Sequence, residues 1–553
     1  MDVANARIQA ECANHYNLTH NHSTLRKGST MRPIDYFDRG AAKSPERLFI
    51  SGNGREFTYA QAKSTTEALA KGLYAAGFKV GDSVAVYSPN DPGAVVCIFG
   101  AYRAGGAWVP VNVRNAASTN AEYMAYVRTR WLFFHSSVLD QIEKVIPELP
   151  ELKGVVCFDS DSTPYPSLES FSAAGSATEM PDWSDPFGAP DVVFSRWPTG
   201  GTTGPSKGVD MSNRSICAML EIGLQHYVGE DTEDIVHLAV APITHAAGVM
   251  ILVYGAAGGS NIVHEAFDAK AVLEAIQKNK VTNIFLPPTA YYAMLDEAKR
   301  TRYDTSSLRQ ILIAAAPVSP DKFRDGVDVF GPVICQCFGQ AEAPMLISWL
   351  GPKVVAAAAA GDHPERLKSA GKVTSATQVG ILDDDGNVLA LGERGEICCR
   401  GPLVTPGYFE KPEATAEARK FGWHHTGDVG YLDKDNYLYI VDRKKDMIIT
   451  GGFNVFAAEV ETPILALPEV LECAVIGIPD EKWGESVKAI IVLREGHTLT
   501  ETAVVEAVKP KLGGVKTPKS VEFWDEIPKT AVGKTDKKAI RKKFWIDSDR
   551  AVN

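Results

Sequence analysis

The chain has 553 residues, 45% hydrophobic and 23% charged, and a net charge of −11. Its length exceeds what one hydrophobic core organises and fits about three or four structural units; the composition is that of a globular enzyme. The acid excess excludes non-specific nucleic-acid binding and a polybasic membrane surface, but not an anionic substrate held by local cations. The nine cysteines are scattered without a C-x-x-C pair, which excludes a metal array or disulfide framework and points to reduced thiols in a cytoplasmic protein. The N-terminus has no secretory apolar run. The longest apolar run, 246–259, has 14 residues, short of the roughly 20 a spanning helix needs, so no integral membrane association is expected.

In chain order, residues 1–30 are polar and read as an N-terminal extension. Residues 83–88 (SVAVYS) form a strand, 91–103 a helix and 108–113 a second strand, the pattern of a parallel sheet with helical crossovers. Residues 191–197 enter a loop of glycines and threonines. Beyond it, 235–240, 284–286, 311–315 and 333–338 are candidate buried strands, separated by helices such as 269–278 and 290–298. Loop chemistry collects after their C-terminal ends, where α/β folds place ligands. From about Gly371 short β runs alternate with turns, reading as a small β subdomain. Residues 442–446 (DRKKD) are a charged break, followed by about 110 residues of compact α+β pattern, a normal small-domain size.

The loop is Thr199-Gly200-Gly201-Thr202-Thr203-Gly204-Pro205-Ser206-Lys207. Glycine tolerates close backbone approach, so such a loop can wrap N–H groups and hydroxyls around a phosphate chain, with Lys207 as a point charge. Its spacing is neither a Walker loop nor a dinucleotide fingerprint; an ordinary flexible turn has the same composition. His245, in 241–248 (APITHAAG), reads either as a pocket residue or as a helix-start histidine. Downstream lie 314–319 (AAAPVS), 338–342 (FGQAE), 423–428 (WHHTGD), 442–452 (DRKKDMIITGG) and 528–534 (PKTAVGK).

Taken together and in order, these segments resemble the signatures of the acyl-adenylating, AMP-forming superfamily, in its acyl-CoA synthetase branch. The resemblance covers the chain from about Pro33. It implies an α/β fold: a large N-terminal domain over 31–441, with two α/β layers and a small β subdomain, a hinge at 442–446 about Lys445, and a small α+β lid over 447–553. It implies ATP and AMP contacts from Thr199, Gly200, Gly201, Thr202, Thr203, Gly204, Lys207, Ala315, Ala316, Pro317, Phe338, Gly339, Gln340, Ala341, Asp428 and Arg443. By the same resemblance Phe338 would stack on adenine, Asp428 and Arg443 would hold ribose, and Glu342 would hold Mg²⁺ through hard carboxylate oxygens. It makes Lys534 the lid lysine that would stabilise developing charge, with His245 and Glu342 completing the implied catalytic set. His245, Ala247, Gly248 and Gly339 border the acyl pocket, and Gly451 and Gly452 the coenzyme A tunnel. Ser206, Ala341, Phe453 and Ala457 depart from the family pattern.

The reaction so implied is acid activation as acyl-AMP by Mg·ATP, then transfer to coenzyme A. A ligase delivering to a carrier protein, a luciferase-like oxygenase and a non-enzymatic nucleotide binder are the rivals. Glycine at 339 and the small residues after His245 are expected to leave a deep cavity, favouring aryl, cyclic or medium-to-long-chain acids over acetate. The oligomeric state is open, with a homodimer favoured.

Overall fold

Uninterrupted apolar runs build the first sheet. Ser83–Tyr87 pairs in parallel with Ala107–Val111 and Thr129–Phe134, and every residue of the first two strands is buried, as in sheets covered on both faces. Helix Pro92–Ala104 links them. Asp91 caps it by accepting from the Gly93 N–H, Pro92 occupies its first turn, and Gly105 ends it in the left-handed region, each device suited to its end of a helix. All of its residues are buried, so it lies between layers. Strands β1 (Val193–Pro198) and β2 (Gly208–Ser212) form an antiparallel hairpin on this seven-stranded sheet. The structure is a computed structural model describing residues 31–182, 191–199, 206–229, 234–529 and 535–545; the expected extension, 1–30, lies outside them.

The second sheet has thirteen strands. Ser260–Val263, Val236–Ala239, Asn283–Leu286, Gln310–Ile313 and β3 (Ile334–Gln340) run parallel as neighbours, with α1 (Ala246–Ala256) among their crossovers. At β3 the direction turns: β4 (Ala343–Leu350) pairs antiparallel with it. The short strands after Gly371 then continue this same sheet through antiparallel pairs. The change of texture in the sequence is therefore a change of pairing direction within one sheet. One short strand leaves it: β5 (Gly407–Tyr408) crosses to the first sheet and pairs with β2.

Strands β6 (His424–Leu432) and β7 (Tyr437–Arg443) pair antiparallel. β7 runs through Arg443, and a single 3-10 turn, Lys444–Asp446, leads on. The remaining chain forms a five-stranded sheet with helices Ala457–Leu465 and Glu501–Lys516. Its core is its own: Ile448, Val460, Ile464, Val475, Val487 and Val504 pack together. No helix among the described residues is long and apolar enough to cross a membrane.

Candidate active site

The neck of the Gly/Thr loop is closed by three hydrogen bonds. Thr199 N–H donates to the Lys207 carbonyl at 2.9 Å, Lys207 N–H to Thr199 Oγ1 at 3.2 Å, and Ser206 Oγ to the Thr199 carbonyl at 2.6 Å. Ser206, where the family has proline, thus fastens the loop base. Gly200, Gly201, Thr202, Thr203 and Gly204 lie outside the described residues. Lys207 Nζ rests 4.9 Å from the centroid of the Tyr408 ring.

His245 stands at the N-cap of α1, with Nδ1 3.0 Å from Thr244 Oγ1. Its loop is held by Asn90, just before helix Pro92–Ala104. Asn90 Nδ2 donates to the Ala241 and His264 carbonyls, and its Oδ1 accepts from Ile243 N–H at 2.9 Å. One buried amide therefore ties three strand ends beneath His245. Ala247 is buried, and a Cβ at Gly248 would strike the Ile243 carbonyl. The small residues after His245 thus serve close packing of the helix start.

Gly339 is also held by close packing. It sits at a bulge between β3 and β4, and its Cβ would lie 2.5 Å from the Met345 carbonyl carbon. Met345 itself takes φ 63°. Glycine is required there by close approach of two strands, and the direction a side chain would take is filled by the Met345 backbone. Ala315, Ala316 and Pro317 are exposed just beyond strand Gln310–Ile313, and Ala315 holds φ 79°, a strained value for a residue with a Cβ. Phe338, Gln340 and Ala341 are half-buried.

Glu342, in the β3–β4 turn, accepts from the Tyr408 hydroxyl at Oε1, 2.8 Å away, while its backbone carbonyl accepts from Thr405 N–H. Burial and the Glu342 carboxylate push the Tyr408 phenol well above its usual range. Gln340 Nε2 reaches the Thr426 carbonyl at 3.4 Å, joining the 338–342 and 423–428 segments. Asp428, 3% exposed, faces Arg443 across β6 and β7, with Oδ1 2.7 Å from Arg443 Nε. The two expected ribose residues are direct cross-strand neighbours.

Lys444 Nζ bridges Asp384 at 2.8 Å and Glu396 at 3.1 Å. Glu396 Oε2 also meets His425 Nδ1 at 3.1 Å, and Cys398 Sγ lies 3.4 Å from that nitrogen. Burial alone would raise the Glu396 carboxyl; hydrogen bonds from His425 and Lys444 outweigh it and hold it below the usual range. The cluster ties the turn Lys444–Asp446 to the neighbouring strands. Burial pulls the adjacent Lys445 ammonium down. Gly451 and Gly452 both take positive φ, and the Trp483 ring fills the space where a Gly451 side chain would stand. Lys534 lies outside the described residues; Lys529 and Thr535 on either side pair with each other.

The chain matches the family model of the AMP-binding enzyme over residues 37–409 and that of its C-terminal domain over 459–534. It is 41% identical over 371 residues to the medium/long-chain-fatty-acid–CoA ligase FadD8 of Mycobacterium tuberculosis, covering 66% of this chain and 63% of that protein. It is 34% identical to a feruloyl-CoA synthase of an Amycolatopsis species, covering 92% and 98%. Its fold is similar to that of the amide bond synthetase McbA from Marinactinospora thermotolerans, with a TM-score of 0.81 and 28% identity, covering 93% of this chain and 99% of the other.

Proposed function

The chain belongs to the AMP-binding enzyme family, and on that premise we propose that it is an ATP-dependent, AMP-forming acid–CoA ligase acting on an aryl, cyclic or medium-to-long-chain carboxylic acid. The observation that carries the reading is convergence. The loop cation Lys207, the carboxylate of Glu342, and the Asp428–Arg443 pair come from distant stretches, yet are linked through Tyr408 and the Gln340–Thr426 hydrogen bond. The breadth of acid class rests on the similarity to ligases of fatty and feruloyl substrates.

In the first half-reaction the acid's carboxylate oxygen attacks the ATP α-phosphorus and pyrophosphate leaves. Lys207 and the loop receive the phosphates, Asp428 accepts from the ribose hydroxyls, and Phe338 offers its ring to adenine. Glu342 fits Mg²⁺: it presents hard carboxylate oxygens, and its Oε1 is already oriented by Tyr408. Bound there, the ion would neutralise triphosphate charge. Lys534 supplies a cation to the developing charge, the kind of preorganised contact that dominates such steps. In the second half-reaction the lid turns about Lys445, the coenzyme A thiol loses its proton and attacks the acyl carbon, and AMP leaves.

The test is AMP release from acetate, hexanoate, benzoate and cinnamate, with and without coenzyme A. Hexanoate or an aryl acid should exceed acetate by at least about a hundredfold in kcat/KM, a difference of only about 2.7 kcal/mol. Acetate as the best of the four, or turnover independent of coenzyme A, overturns the reading. A carrier-protein acceptor in place of coenzyme A would leave AMP release low with or without coenzyme A, which overturns the reading as well.

A further inference from the structure

Tyr408 stands between the loop cation and the carboxylate assigned to the metal. Lys207 meets the face of its ring, 4.9 Å from the centroid, and Glu342 Oε1 meets its hydroxyl edge at 2.8 Å. The tyrosine is fixed independently of both. Its strand pairs with β2, setting Tyr408 opposite Val209, two residues beyond Lys207. Its N–H donates to Thr415 Oγ1 at 3.0 Å. An ammonium and a carboxylate in one cleft attract each other, and an empty triphosphate site risks closing on itself. The ring keeps them apart, one on its face and one at its hydroxyl edge.

We propose that Tyr408 is a positioning residue for adenylation, a spacer that presents Lys207 and Glu342 already separated. Its hydroxyl occupies one Glu342 oxygen and leaves the other for a divalent cation; its face holds Lys207 where the phosphates enter. Hydrogen bonds that orient a ligating carboxylate typically govern 10–100-fold of metal affinity, whereas a tyrosine that merely fills the core governs none. The proposal rests on the roles given above to Glu342 and Lys207.

The experiment uses the full-length protein and follows ATP binding by calorimetry, in EDTA and across a Mg²⁺ titration. Tyr408→Phe keeps the ring and its packing. Its Mg²⁺ midpoint should rise about tenfold or more, with ATP affinity in EDTA unchanged. Tyr408→Leu removes the ring as well, and should weaken ATP binding in EDTA too. Glu342→Gln is the reference: its Mg²⁺ midpoint should rise at least as far as that of Tyr408→Phe. A wild-type midpoint in Tyr408→Phe beside a raised one in Glu342→Gln overturns the spacer and leaves the metal role standing. An unmoved midpoint in Glu342→Gln overturns both. A lowered melting temperature in Tyr408→Phe with an unmoved midpoint assigns the residue to packing alone and overturns the proposal.

Discussion

His237 is wholly buried in strand Val236–Ala239, with Nδ1 3.0 Å from Asn261 Oδ1 and its ring against Tyr254. Burial lowers its imidazole to about 4, against about 6.5 in an unfolded chain. Between those values the unfolded state binds the extra proton, so folding weakens as pH falls from about 6.5 and the loss is complete near 4, at roughly 3 kcal/mol. His237→Gln removes that proton site. Denaturant unfolding at pH 7.5 and 4.5 should show a smaller acid loss in the variant than in the wild type; equal losses would place the acid sensitivity elsewhere. Ala315 carries a different burden, a left-handed φ of 79°. Such a conformation costs an alanine about 1–2 kcal/mol and a glycine little. Ala315→Gly should raise the melting temperature, by an amount worth up to about 1 kcal/mol after glycine's greater chain entropy. An unchanged or lower midpoint removes the strain argument.

At the scale of elements, the strands and helices were legible where apolar runs end in turn or cap residues, as at Asp91, Pro92 and Gly105 around one helix. The contiguous motifs were legible for the same reason: their residues lie within one loop. What joins them was not. Tyr408 and Glu342 lie 66 positions apart, and Asn90 and Ile243 lie 153 apart, with no local pattern announcing either pair. Glycine misled most. In a sequence Gly339 reads as empty space, but the strand bulge fills that direction with the Met345 backbone. Gly339→Trp should therefore unfold the β3–β4 turn before it changes acid preference. The hinge offers a cleaner test. Proline fixes φ and removes an N–H, so Lys445→Pro should obstruct rotation at the turn after β7. ATP–pyrophosphate exchange should persist while thioester formation falls about tenfold or more, a barrier change of about 1.4 kcal/mol. Equal loss of both half-reactions would move the hinge away from Lys445.

Over the whole molecule, the apolar residues fall into separate cores. One set lies between and around the two large sheets; another belongs wholly to the chain after Lys445. Across the junction run polar links, among them Arg394 to Glu459 at 2.8 Å and Ala458 N–H to Asp442 at 3.1 Å. The first of these is exposed enough that it holds little free energy, since surface pairs are worth about 0–1 kcal/mol. Two cores joined mainly by polar contacts should not melt as one unit. Calorimetry of the full chain should show a van't Hoff enthalpy below the calorimetric one, and more than one resolved transition. The second core can be perturbed from its own side. Lys537, at the start of helix Lys537–Lys542, lies 2.8 Å from Glu461 with both side chains largely covered; burial would lower its ammonium, and Glu461 and Asp442 outweigh that and raise it. Lys537→Met leaves the Glu461 carboxylate without this partner, a loss of about 3 kcal/mol, the lower end for buried pairs. The transition of the smaller unit should fall and the other stay in place. ATP at a hundred times its dissociation constant should instead stabilise the unit holding the Gly/Thr loop, by about 2.7 kcal/mol. A single transition that moves whole under both perturbations would show the two cores to be one cooperative unit.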